Sequence, residues 1–254
     1  MDQKSKTIIV GGLELGSDQP ERIIVPIIAE NYESVLKQAE KITHSAADMV
    51  EWRLDYLQSD LSDFDTLVGT AIDLKSTLGD IPIIATSRTV KEGGEFDYPG
   101  TIYVDAYNQL IQAEIVDAID VEFSREDVEI GQLRSLTTNG DVTMIMSHHD
   151  FEKTPEKNEL IFLMSQMAKA NPDIIKVAVM PKYREDVMNL MDATIAADHQ
   201  VTQPLLTMSM GDLGKISRVA GKTFGSVATF GSVGKSSAPG QLSAGELKTI
   251  LDTL

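Results

Sequence analysis

Cysteine is absent from all 254 residues. Disulfides, thiol nucleophiles and thiolate-bound metals are thereby excluded, and the absence fits a reducing cytoplasm. Positive charge is scarce: Lys and Arg total 22 against 39 Asp and Glu, a formal net charge of −17. Such a surface repels phosphodiester backbones and anionic lipid, so neither nucleic acid nor membrane is expected as a partner. Long apolar runs are also missing. None approaches the ~20 residues that span a bilayer, and the opening MDQKSKTIIVGGLELG lacks the apolar core of a signal peptide. A soluble, cytoplasmic protein is expected. The signatures G-x-G-x-x-G, G-x-x-x-x-G-K-[ST] and H-x-x-x-H are absent too. Adjacent His148 and His149 converge poorly on one ion, so no metal is expected.

What is present is a series of short apolar runs with helical patterns between them. The runs are Arg22–Ala29, Asp48–Leu54, Pro82–Ser87, Ala118–Phe123, Val142–Ser147, Asp173–Val179, Pro204–Ser209 and Ser226–Phe230. Most are rich in Val and Ile and apolar nearly throughout, as strands buried on both faces of a parallel sheet read. Tyr32–Thr43 and Glu156–Ala170 space their apolar residues as helices do. Gly245–Leu254 follows Ser243, an N-cap, with Glu246 as capping-box partner. About eight strand–helix repeats predict an α/β fold, a (β/α)8 TIM barrel. A doubly wound open sheet is the alternative, disfavoured by the missing glycine fingerprints. Thr7–Gly16, two short strands around Gly11-Gly12, predicts a hairpin that closes the N-terminal mouth. No Pro/Gly/Ser-rich linker divides residues 1–254, so one catalytic domain is expected.

Barrel chemistry sits at the C-terminal ends of strands, and several of these runs end in polar residues. Glu51 and Arg53 share one face of the second, with Asp55 beyond. Arg88 ends the third and leads into Glu92-Gly93-Gly94-Glu95. His148, His149 and Asp150 end the fifth; Lys176 interrupts the apolar sixth; Met208 and Met210 end the seventh, followed by Arg218. The eighth runs into a Gly/Ser-rich loop containing Ser237 and Gln241.

Any one of these has an ordinary structural explanation: a snorkelling lysine, a satisfied histidine, surface arginines, core methionines. Their convergence does not. A lysine inside a dry barrel is expected to lose its charge and become a nucleophile. A histidine on the neighbouring strand could move protons for it, and adjacent histidines point to opposite faces, so only one of His148 and His149 can serve. Arginines gathered at one mouth of an acidic protein suggest a small anionic substrate.

The motifs at these strand ends are EWRLD (Glu51–Asp55), Arg88 with KEGGE (Lys91–Glu95), SHHDF (Ser147–Phe151) and KVAVM (Lys176–Met180). TMSMG (Thr207–Gly211) with Ser217-Arg218, and SAPGQ (Ser237–Gln241), complete the set. In this order the set resembles the type I 3-dehydroquinate dehydratase family from the second strand to the last loop. The resemblance implies a homodimeric barrel that needs neither metal nor cofactor and converts 3-dehydroquinate to 3-dehydroshikimate by syn elimination. It implies Lys176 as the imine-forming residue, His149 as general acid and base, and Glu92 as the group orienting His149. Glu51, Arg53, Arg88, Arg218, Ser237, Gln241, Met208 and Met210 are the implied substrate-binding set. His148 stands where many relatives carry an aromatic residue, and is expected to face away from Lys176. Another Schiff-base barrel of the class I aldolase kind, or a silent barrel that only binds a polyhydroxy acid, would be the rivals.

Overall fold

Successive residues of a strand point to opposite faces, so a strand apolar throughout must be covered on both sides. The computed structural model, which describes residues 6–57, 61–234 and 238–254, meets that requirement with a ring of strands inside a ring of helices. An antiparallel hairpin, β1 (Thr7–Val10) and β2 (Leu13–Gly16), comes first. The ring strands follow: β3 (Arg22–Ile27), β4 (Met49–Arg53), β5 (Ile83–Thr86), β6 (Ala118–Glu122), β7 (Thr143–Asp150), β8 (Ile174–Val179), β9 (Leu205–Ser209) and β10 (Ala228–Phe230). All eight pair in parallel in the order β10-β3-β4-β5-β6-β7-β8-β9, and a parallel bridge from Leu205 to Ser226 closes the circle. This is the expected (β/α)8 barrel.

The helices alternate with the strands: α1 (Tyr32–Thr43), α2 (Phe64–Leu78), α3 (Gly100–Gln112), α4 (Asp127–Gly140), α5 (Lys157–Lys169) and α6 (Arg184–Asp198). The short α7 (Lys215–Val219) and α8 (Gly221–Phe224) and the final α9 (Ala244–Leu251) complete them. Local signals set their starts. Asn31 and Ser34 form a capping box at α1, and Ser243 and Glu246 form the predicted one at α9. Among the described residues no helix is long and apolar enough to cross a membrane.

Alternation along each strand sorts the core into two bodies. Outward-facing Trp52, Ile119, Val121, Met144, Met146, Val177 and Val179 pack against helix residues such as Val35, Leu110, Leu133, Leu160 and Leu190. Inward-facing Met49, Ile84, Ala118, Ile145, Ile174, Leu206 and Ala228 meet at the N-terminal end of the barrel, where Val10 and Leu15 of the hairpin join them. The hairpin therefore closes that mouth, as expected. One boundary differs from expectation. β7 runs on through His148, His149 and Asp150, because that stretch keeps its pairing with β8: His149 lies opposite Ala178 and Asp150 opposite Val179. The histidines thus end this strand, as expected, and only the bound of the apolar run, Val142–Ser147, falls short of it.

Candidate active site

Two residues further along β4 to β8 from that apolar floor, the inward positions turn polar: Glu51 on β4, Thr86 on β5, Asp120 on β6, Ser147 on β7 and Lys176 on β8. Period-two geometry aims all of them into the barrel. Lys176 Nζ lies 2.8 Å from Asp120 Oδ2 and 2.9 Å from Glu51 Oε1, with the Phe230 ring 4.6 Å away on the remaining side. Two carboxylates hold the amine as one arm of a buried ion network, so a neutral nucleophile requires that a proton be handed on first.

Arg88 binds the network together. Its Nη2 donates to Asp120 Oδ1 at 2.7 Å, and its Nη1 donates to Glu122 Oε1 at 3.0 Å and to Ser147 Oγ at 2.8 Å. Ser147 Oγ in turn donates to Asp120 Oδ1. Burial works to raise the Asp120 carboxyl, but Arg88 and Lys176 outweigh it and hold the group far below the usual carboxylate range. Arg53 forms a fork with Asp55 at 2.8 and 2.7 Å, the bidentate geometry that a planar guanidinium favours. Asp55 also accepts from the backbone N–H groups of Arg88 and Glu95, which ties the loop after β5 to β4.

That loop carries Glu92. Its two glycines permit the approach: Gly93 sits at φ +82°, where a Cβ would strike the Phe151 ring at 2.4 Å, and a Cβ on Gly94 would meet the Arg88 carbonyl at 1.9 Å. Glu92 Oε2 accepts from the His149 backbone N–H and lies 3.0 Å from His149 Nδ1. An Nδ1–H bonded to a carboxylate leaves Nε2 as the lone-pair nitrogen. Burial, then the neighbouring Glu122, pushes Glu92 up to about 7 against the pull of Arg88. Burial, then the cations Arg88 and Lys176, drives His149 well below its ordinary value. The imidazole is therefore neutral, and a neutral imidazole can take a proton.

On the opposite wall, Ser217 Oγ accepts from the Ser209 N–H at 2.8 Å and donates to the Gly214 carbonyl at 2.7 Å, pinning α7 to the end of β9. Arg218 on α7 is fully buried. It reaches Met208 Sδ at 3.7 Å and the Pro239 carbonyl at 3.4 Å, and its Nε has no partner. Burial lowers it to about 10, and among the described residues no carboxylate pairs with it. A buried guanidinium without a counter-ion is an anion site.

Glu51, Arg53, Arg88, Glu92, His149, Lys176, Met208 and Arg218 line one cavity open to solvent. The family model described as Type I 3-dehydroquinase matches residues 23–254. A 3-dehydroquinate dehydratase of Escherichia coli is 39% identical over 250 residues, covering 98% of each chain. The crystal structure of 3-dehydroquinate dehydratase from Geobacillus kaustophilus superposes with a TM-score of 0.94 at 35% identity, covering 98% of this chain and 96% of its own. A type I enzyme from Clostridium difficile gives 0.92 at 33% identity, covering 97% and 96%. The chain belongs to the type I 3-dehydroquinase family. It is a lyase that dehydrates 3-dehydroquinate.

In this 3-dehydroquinase barrel, Lys176, His149, Glu92, Glu51, Arg53, Arg88, Met208, Met210, Arg218 and Gln241 all line the one cavity. Ser237 lies outside the described residues. His148 is not on the cavity wall, as expected, yet its Nδ1 stands 3.9 Å from Glu92 Oε1. Sequence reasoning missed Asp120, Glu122 and Ser147, which organise both cations. The signal was there: Ala118, Asp120 and Glu122 alternate on β6 as Glu51 and Arg53 do on β4, and a barrel strand turns such a set inward.

Proposed function

We propose that the dehydration proceeds through an imine on Lys176, with His149 serving as both base and acid. The observation that carries this is the pairing of a buried amine with a neutral imidazole on the adjacent strand, its Nδ1 committed to Glu92. Glu51, 2.9 Å from Lys176 Nζ, is assigned to take the ammonium proton. The freed amine adds to the C3 ketone, Glu51 returns the proton to the carbinolamine hydroxyl, and loss of water gives an iminium whose positive charge acidifies the C2 hydrogen. His149 Nε2 removes that proton, the C2–H electrons form the new double bond as the C1–O bond breaks, and the same nitrogen protonates the departing hydroxyl. Hydrolysis of the iminium then releases 3-dehydroshikimate and restores the amine. The elimination is syn because one nitrogen serves both events from one face of the ring.

Arg218, the buried cation without a carboxylate, fits the substrate carboxylate. Glu51, Arg53, Arg88, Ser237 and Gln241 are assigned to ring hydroxyls and to supporting the imine, Met208 and Met210 to a wall that excludes water. The C. difficile relative has been crystallised with covalent modified comenic acid, which supports covalent chemistry in a barrel of this kind. Family resemblance also supports a homodimer. The test is borohydride reduction in the presence of 3-dehydroquinate. The enzyme should be inactivated and the substrate-derived mass should appear on the Lys176 peptide; an unmodified lysine there overturns the imine.

A further inference from the structure

Two carboxylates and an aromatic face meet at Lys176 Nζ. Glu51 Oε1 and Asp120 Oδ2 lie 2.9 and 2.8 Å away, and the nitrogen stands over the Phe230 ring, 4.6 Å from its centroid. Strand β10 puts the ring there. Ala228 points inward to the floor, so Phe230, two residues on, points inward at the level of the cavity, which it lines. The ring is buried and belongs to the same inner apolar cluster as Ala178 and Met208. We propose that Phe230 is a further catalytic residue: its ring face keeps the Lys176 imine in the protonated, electron-withdrawing form.

The elimination needs a charge that stays. An iminium acidifies C2 only while its nitrogen is protonated; the neutral imine is a poor electron sink. The two carboxylates beside the nitrogen are also bases. A protonated imine has a single N–H, which it can surrender along a hydrogen bond to Glu51 or Asp120. An aromatic face has no basic atom. It attracts the cation through its quadrupole and loses that attraction when the nitrogen becomes neutral. It therefore favours the protonated form without competing for the proton. The imine nitrogen is Nζ itself, so the contact made by the free lysine is available to the iminium. In a site closed to water such a contact is expected to change the protonation constant by about 5- to 30-fold.

This inference rests on the imine assigned to Lys176, and a control separates the two. Borohydride and 3-dehydroshikimate should leave product-derived mass on the Lys176 peptide of the native enzyme; no added mass sinks the imine itself. With that control met, Phe230 is replaced by fluoro-, difluoro- and trifluorophenylalanine, which keep the ring's shape while draining its face. Phe230→Leu supplies an apolar filling without a ring. The ionic neighbours Glu51 and Asp120, Arg88 bonded to Asp120, and His149 on the next strand stay the same throughout. The conjugated imine formed with 3-dehydroshikimate is titrated toward alkaline pH through the ultraviolet band of its protonated form. Its midpoint should fall with each added fluorine, by about 0.7–1.5 pH units in total, and Phe230→Leu should fall as far. The alkaline limb of kcat should move with it. A role in packing alone leaves the fluorinated series at the native midpoint and disturbs only Phe230→Leu. That result, or a midpoint that rises with fluorine, overturns the role of Phe230.

Discussion

The floor of the barrel and its mouth are built by the same strands, only two residues apart. At the floor, Met49, Ala118, Ile145, Ile174 and Leu206 meet Val10 and Leu15 of the hairpin. At the next inward position, Glu51, Lys176 and Met208 line a water-open cavity, and Asp120 and Ser147 join the ion network that holds Lys176. The floor gains stability simply by leaving water, roughly 1.5–3 kcal/mol for each large apolar side chain fully buried. The mouth gains little of that kind. Burying Lys176 and Arg88 carries a desolvation cost that their carboxylates approximately offset, so the network holds side chains in place rather than stabilising the fold. One end is built to stay closed, the other to keep charges poised.

Three substitutions sharpen that contrast, in falling order of effect. His149→Ala should lower kcat by about 10²- to 10⁴-fold, the range of a lost general acid–base, while borohydride still traps substrate on Lys176. Native turnover would remove His149 from the chemistry. Asp120→Asn should lower stability by about 3 kcal/mol in urea denaturation. The value sits at the low end for a broken buried pair because Glu51 still holds Lys176 and Glu122 still holds Arg88. A variant as stable as the native protein would show that the network contributes nothing to holding the mouth. Leu15→Ala should cost about 2–3 kcal/mol through the cavity it leaves in the floor, with kcat/KM nearly native. A large rise in KM would mean that floor and mouth are not independent.

Much of the barrel was legible because buried parallel strands announce themselves as short Val- and Ile-rich runs. The ends were less so: β7 extends through His149 because β8 continues to pair with it, and pairing is a property of two strands. Lys176 and His149 stood out as polar residues in apolar surroundings. Asp120 and Glu122 did not, although their alternation on β6 matches that of Glu51 and Arg53. Nothing local says which carboxylate a lysine 56 positions away will meet. The surroundings of Lys176 were hidden for the same reason: an apolar strand announces a buried lysine, but the two carboxylates beside it come from β4 and β6.

By itself, then, the sequence determined the strand–helix alternation, the hairpin, the capped helices and the roster of residues with chemistry to offer. Tertiary structure alone decided the pairings: Asp120 between Arg88 and Lys176, Glu92 between His148 and His149, and Arg218 buried without a counter-ion. The physical reason is range. Periodicity and capping act between residues a few positions apart, whereas Coulomb and hydrogen-bond partners inside a barrel are chosen by strand register and ring closure, which only the folded chain possesses.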